Sequence, residues 1–159
     1  MIATRVISAA ALALVSALPP VAIRPFVRGS WQQIRREHAG RPAIVHFWGL
    51  TCAPCLAELP QWGRLLGEQR GTDLVFVAAD AVPEEPAHVS SMLTKAALST
   101  AENWMFADHF VDRLVFEVDP EWQGELPITI LVAGDGTTSK IVGTVDFAAI
   151  RGWIDRHAR

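Results

Sequence analysis

A chain of 159 residues, half of them hydrophobic, is long enough to bury one core and too short to divide into two domains. Its net charge of -3 comes from 14 basic and 17 acidic side chains interspersed along the sequence. No basic stripe is available for a phosphate backbone, and nucleic acid is excluded as an expected partner.

The N-terminus differs in kind from the rest. Arg5 precedes the apolar, alanine-rich run Val6 to Leu18, with the small pair Ser16-Ala17 near its end, which is the layout of a secretory signal. Residues 1–22 are therefore set apart as a signal peptide or N-terminal membrane anchor, and residues 23–159 as the folded domain. The anchor alternative extends the apolar stretch past Pro19-Pro20 to Ile23, and cleavage is favoured because roughly 20 good residues are usually needed to span a bilayer. No cysteine follows the segment directly, which excludes lipid attachment at a mature N-terminal cysteine. Either outcome implies an exported domain, in the periplasm or another extracytoplasmic space.

In chain order, Ile23 to Val27 is a candidate short edge segment. Ser30 can cap a helix from Trp31 to about His38, ended by Gly40. Ala43 to Trp48 is an almost unbroken apolar run, the pattern of a strand buried on both faces between parallel neighbours. Gly49-Leu50-Thr51 turns the chain, and Cys52 opens a helix to about Gln69 with Leu56, Leu59, Trp62, Leu65 and Leu66 on its apolar side and Pro60 as a kink. Leu74 to Ala79 is a second buried strand, completing a βαβ unit. Pro83-Glu84-Glu85-Pro86 reads as a solvated turn before a helix from Ala87 to Leu98, and Trp104 to Ala107 as a short edge strand. His109 to Gly124 is irregular, with a helical turn around Val111 to Val118 stopped by Asp119-Pro120. Ile128 to Val132, the Gly134-Asp135-Gly136 turn and Ser139 to Val145 read as a hairpin. A last helix, Phe147 to His157, aligns Phe147, Ile150 and Ile154 to cover the sheet. A βαβ half followed by a ββα half, with a dithiol where the first long helix begins, predicts the thioredoxin fold: α/β, a central mixed sheet flanked by helices.

Both cysteines of the chain lie in Cys52-Ala53-Pro54-Cys55. In an exported protein the bland reading is a structural disulfide. Closing so short a loop removes little chain entropy, so as a staple the bridge would stabilise the fold weakly. The strand-to-helix placement instead suits a redox-active pair. Cys52, at the positive end of the helix dipole, is the expected nucleophile, and Cys55 the resolving thiol. Glu58, one turn beyond Cys55, is a candidate proton acceptor for it, with a solvated helix glutamate as the alternative. His46, in the strand beneath the helix, is a second candidate, with a hydrogen-bonded core histidine as the alternative.

The block Phe47-Trp48-Gly49-Leu50-Thr51-Cys52-Ala53-Pro54-Cys55-Leu56-Ala57-Glu58-Leu59-Pro60 resembles the active-site block of TlpA/ResA-type exported thiol-disulfide oxidoreductases. Gly124-Glu125-Leu126-Pro127-Ile128-Thr129 resembles the second signature of that family, a proline held cis opposite the dithiol. The likeness extends over most of residues 30–158 and is loose from Glu84 to Gln123. It implies a reductase of cysteine pairs in extracytoplasmic proteins, apocytochrome c among the candidates, fed by a membrane electron donor and using no cofactor. It also implies that Glu58 serves as the relay and that the backbone of Leu126, beside Pro127, pairs with an extended substrate segment. Two positions depart from the family. Thr51 stands where tryptophan usually precedes the first cysteine, at the rim that would touch substrate, and His46 stands where cytoplasmic thioredoxins carry a buried aspartate.

Two other readings use the same cysteines: a metallochaperone holding Cu(I) on Cys52 and Cys55, and a disulfide oxidase or isomerase differing from the reductase in potential. His88, His109 and His157 are scattered and no histidine joins the C-x-x-C at a zinc spacing, so no structural metal is expected.

Overall fold

The computed structural model describes residues 21–82 and 84–158. The signal or anchor reading falls almost wholly on residues 1–20 and lies outside the described residues. Eleven elements follow in order: β1 (Ile23–Phe26), α1 (Ser30–Glu37), β2 (Ala43–Trp48), α2 (Ala53–Glu68), β3 (Asp73–Ala78), α3 (Pro86–Lys95), β4 (Glu102–Phe106), α4 (Val111–Val118), β5 (Ile128–Val132), β6 (Thr138–Val142) and α5 (Phe147–His157). The strands form one sheet in the order β1-β4-β3-β2-β5-β6. The first four are parallel neighbours, β5 pairs antiparallel with β2, and β6 pairs antiparallel with β5 at the edge.

Strand alternation divides the core into two layers. Val45 and Phe47 of β2 face a cluster with Trp31 and Ile34 of α1 and Leu114, Val115 and Val118 of α4. Ile44 and Trp48 face the opposite cluster, built from Leu59, Trp62 and Leu65 of α2, Val89 and Leu93 of α3, and Ile150, Trp153 and Ile154 of α5. Every residue of β2 is buried, as its apolar run predicts, and the strand sits between β3 and β5 near the middle of the sheet.

Three local expectations need correction. The β4 segment is interior, because β1 adds in parallel outside it with Ile23 opposite Asn103 and Phe26 opposite Phe106. Ser30 does not cap α1: Gly29, with φ +87, holds that position, and the Ser30 hydroxyl accepts the Val27 N–H upstream at 2.9 Å. The second hairpin strand stops at Val142 because Gly143 turns away at φ +84, leaving Val145 to meet α2.

Helix α2 continues through Pro60 and approaches the end of α3 closely at Gly63. A Cβ there would lie 1.8 Å from the Ala96 carbonyl oxygen. The carbonyl is held in a tight helix end, in which Leu98 N–H bonds to Leu93 O at 2.8 Å and Ala97 adopts φ +59.

Candidate active site

The dithiol sits where a fully buried strand hands over to an exposed helix terminus. After β2 the Gly49–Thr51 loop places Cys52 at the N-cap of α2 in extended conformation, φ -92 and ψ 96. Cys52 Sγ accepts the Cys55 N–H at 3.2 Å, and Cys52 O accepts the Leu56 N–H at 3.0 Å. The sulfur of the first cysteine thus acts as a capping acceptor, drawn to N–H groups that no preceding turn can satisfy. The two cysteines form a disulfide with Cα atoms 5.2 Å apart. Their exposures differ: Cys55 is fully buried under α2, while Cys52 is half-buried and opens to a groove.

That groove has a volume of about 490 Å³ and is lined by Cys52, Pro54, Asp80, Val111, Gly124 and Leu126 among others. The Leu126–Pro127 peptide bond is cis, as the resemblance implies. Pro127 is buried and its carbonyl accepts the Gly143 N–H at 2.8 Å, while Trp122 Nε1 donates to Glu125 O at 2.8 Å and steadies the approach. Leu126 gives and accepts no hydrogen bond among the described residues.

Glu58 is not a solvated helix glutamate. It is 4% exposed, and its Oε1 accepts the Val145 N–H at 2.7 Å, leaving Oε2 buried without a partner. Burial pushes its carboxyl above the usual carboxylate range, with the Val145 N–H acting in the opposite sense. It stands one turn after Cys55 on the same buried face of α2.

His46 is fully buried, with Nδ1 hydrogen-bonded to Thr129 Oγ1 at 2.9 Å and its ring 4.8 Å from that of Trp62. Burial lowers its pKa to about 3, so the ring is neutral. Its Nε2, like Trp62 Nε1 and Glu58 Oε2, has no partner among the described residues. The structure therefore brings Thr51, Cys52 and Leu126 to one groove, with Cys55 and Glu58 buried behind it and His46 beneath α2. Among the described residues no three His, Cys, Asp or Glu side chains gather as a metal site.

One site residue escaped the sequence reading. Asp80, two residues beyond β3, lines the groove and hydrogen-bonds the loop that carries Cys52. The available signal was a lone acid directly behind an apolar run, at the carboxyl edge of a sheet with parallel strands, where such folds collect their sites.

No family model matches the chain. Among solved structures, it superposes on a secreted Mycobacterium tuberculosis disulfide oxidoreductase homologous to E. coli DsbE with a TM-score of 0.61 and 20% identity, covering 76% of this chain and 85% of that one. StoA from Bacillus subtilis superposes with a TM-score of 0.57 and 21% identity over 72% of this chain and 83% of its own. The fold is that of thioredoxin. A relative in sequence is the thiol-disulfide oxidoreductase ResA of Halalkalibacterium halodurans, 28% identical over 108 residues, which are 67% of this chain and 56% of the relative. The chain spans little more than half the length of this relative. Among the described residues no helix is long and apolar enough to cross a membrane.

Proposed function

We propose that this chain is an exported thiol-disulfide oxidoreductase working as a reductase of cysteine pairs in extracytoplasmic proteins. The observation that carries the reading is the asymmetry of the pair: one sulfur opens to a groove at a helix N-terminus and the other is sealed beneath it. Reduced Cys52 attacks one sulfur of the substrate disulfide as a thiolate, forming a mixed disulfide and expelling the first substrate thiolate. Cys55 then loses its proton and attacks Cys52, restoring the Cys52–Cys55 bond and releasing the second substrate thiolate. Two electrons pass from the dithiol to the substrate, and a membrane-bound donor of electrons returns them.

Burial of Cys55 keeps the resolving thiol from competing for substrate. It also makes its deprotonation costly, which is why an adjacent base matters. Glu58 fits that role better than His46, since burial makes the glutamate a stronger base and the histidine a weaker one. Substrate is held through the open backbone of Leu126, alongside Thr51 and the cis Pro127, as an added extended segment with little side-chain selectivity. Cytochrome c maturation is one destination for such a reductant.

The test is the midpoint potential of the Cys52–Cys55 pair in a graded dithiol buffer, read by trapping free thiols. A reversible two-electron transition near about -270 mV supports the reductase, and one near about -120 mV makes the protein an oxidant. A pair that does not titrate reversibly overturns the enzymatic reading.

A further inference from the structure

The loop that delivers Cys52 is anchored from outside its own elements. Asp80 is 7% exposed, and its Oδ2 accepts the Leu50 N–H at 3.1 Å while Oδ1 accepts the Thr51 N–H at 3.4 Å and lies 3.5 Å from the Thr51 hydroxyl. Gly49 makes this approach possible: a Cβ there would stand 2.7 Å from Asp80 Oδ1 and 3.0 Å from Leu126 Cδ1. The N–H groups just upstream of Cys52 are thus committed to a carboxylate. Downstream, Pro54 has no N–H to offer, and Cys55 N–H is the donor that reaches Cys52 Sγ.

Among the described residues, the charged groups lining the groove have one sign: Asp80 beyond β3 and Asp112 from α4, with no lysine, arginine or histidine. Glu58 of α2, on the Cys55 side, adds another acid. The helix terminus favours a thiolate at Cys52, and these carboxylates oppose it.

We propose that Asp80 is a positioning residue that fixes the Gly49–Thr51 loop and, through its negative charge, restrains ionisation of the Cys52 thiol. The proposal rests on the reading of Cys52 as the attacking thiol. Its effect is a nucleophile less ionised than the helix terminus alone would make it.

The experiment measures alkylation of the reduced protein by iodoacetamide, a neutral probe, as a function of pH. Asp80→Asn keeps an oxygen acceptor for the loop and removes the charge. Its alkylation midpoint is expected to fall by about one pH unit, the scale of a nearby like charge. Well below the midpoint the thiolate fraction then rises about tenfold, and the rate by roughly three- to fourfold, because nucleophilicity drops as the thiol becomes more acidic. A midpoint that stays or rises overturns the proposal. Should Asp80→Asn not fold, Asp80→Ser, a smaller neutral acceptor, makes the same comparison: a lowered midpoint supports the proposal, and a midpoint that stays or rises overturns it. Alkylation requires no disulfide exchange, so this outcome is independent of the midpoint-potential test.

Discussion

Replacing Gly63 by alanine sets two physical effects of opposite sign against each other. Glycine in a helix interior is about 1 kcal/mol worse than alanine, so from propensity alone Gly63→Ala should stabilise α2. The structure reverses this. The added Cβ would sit 1.8 Å from the Ala96 carbonyl oxygen, where real Cβ atoms essentially never come within 3.0 Å. One backbone must therefore retreat by more than an ångström. The oxygen cannot swing aside as a side chain does, since its helix end is held by Ala96 N–H to Met92 O at 3.0 Å, Ala97 N–H to Thr94 O at 3.1 Å and Leu98 N–H to Leu93 O at 2.8 Å. Leu98 is fully buried, which ties that end to the core. Overpacking of this kind costs roughly 1–3 kcal/mol, and a backbone contact belongs at the upper end, so after the propensity gain the net loss is about 2 kcal/mol. For a domain of this size that lowers the melting temperature by roughly 6–10 °C. Gly67 lies in the same helix with nothing within 4 Å of its Cβ position. Denaturant unfolding of the oxidised protein should find Gly67→Ala unchanged or more stable and Gly63→Ala less stable. If both substitutions shift stability upward, the argument from close approach is wrong.

Two further predictions concern the site and its support. Glu58→Gln keeps the acceptor for Val145 N–H and removes a buried carboxylate, so unfolding free energy should change by less than about 1 kcal/mol, while resolution of the mixed disulfide slows by about 100-fold, the lower range for loss of a general base. Rapid quench of a single turnover would show the mixed disulfide accumulating, and resolution at the parental rate would rule Glu58 out as the proton acceptor. The second prediction concerns His38 at the end of α1, which is 8% exposed with Nδ1 2.7 Å from Asp73 and Nε2 3.0 Å from Glu102. Carboxylates only accept, so both ring nitrogens must donate and the imidazole is charged. The hydrogen bond it donates to Glu102, with the one to Asp73 in support and against the effect of burial, raises its pKa above the ordinary 6.5. A raised pKa means that its contribution to stability is complete below about pH 6.5 and is lost as pH climbs through the folded-state value. Thermal unfolding from pH 6 to 9 should show a decline that His38→Gln flattens, and an equal decline in both proteins would refute the assignment.

Much of the architecture was legible because the relevant signals are local. The nearly unbroken apolar runs of Ala43–Trp48 and Ile128–Val132 mark strands covered on both faces, and the alternation in β2 already sorts its side chains between two layers of helices. The spacing of Cys52 and Cys55 behind such a strand defines a dithiol at a helix terminus. The resemblance added the cis Pro127, which spacing alone does not imply.

What the sequence determined by itself, then, is the identity and periodicity of the elements and the pair of thiols between two of them. Which strand borders which was a matter for tertiary structure: β4 looked like an edge because nothing within Glu102–Phe106 announces that Ile23–Phe26, some 80 residues away, will pair outside it. The same holds for Glu58, whose burial depends on Val145, for Asp80, whose partners are Leu50 and Thr51, and for Gly63, whose constraint is Ala96. Periodicity is a property of neighbouring residues, whereas the partner of a polar group and the room beside a helix are properties of the fold's long-range contacts, and those exist only once the chain has closed on itself.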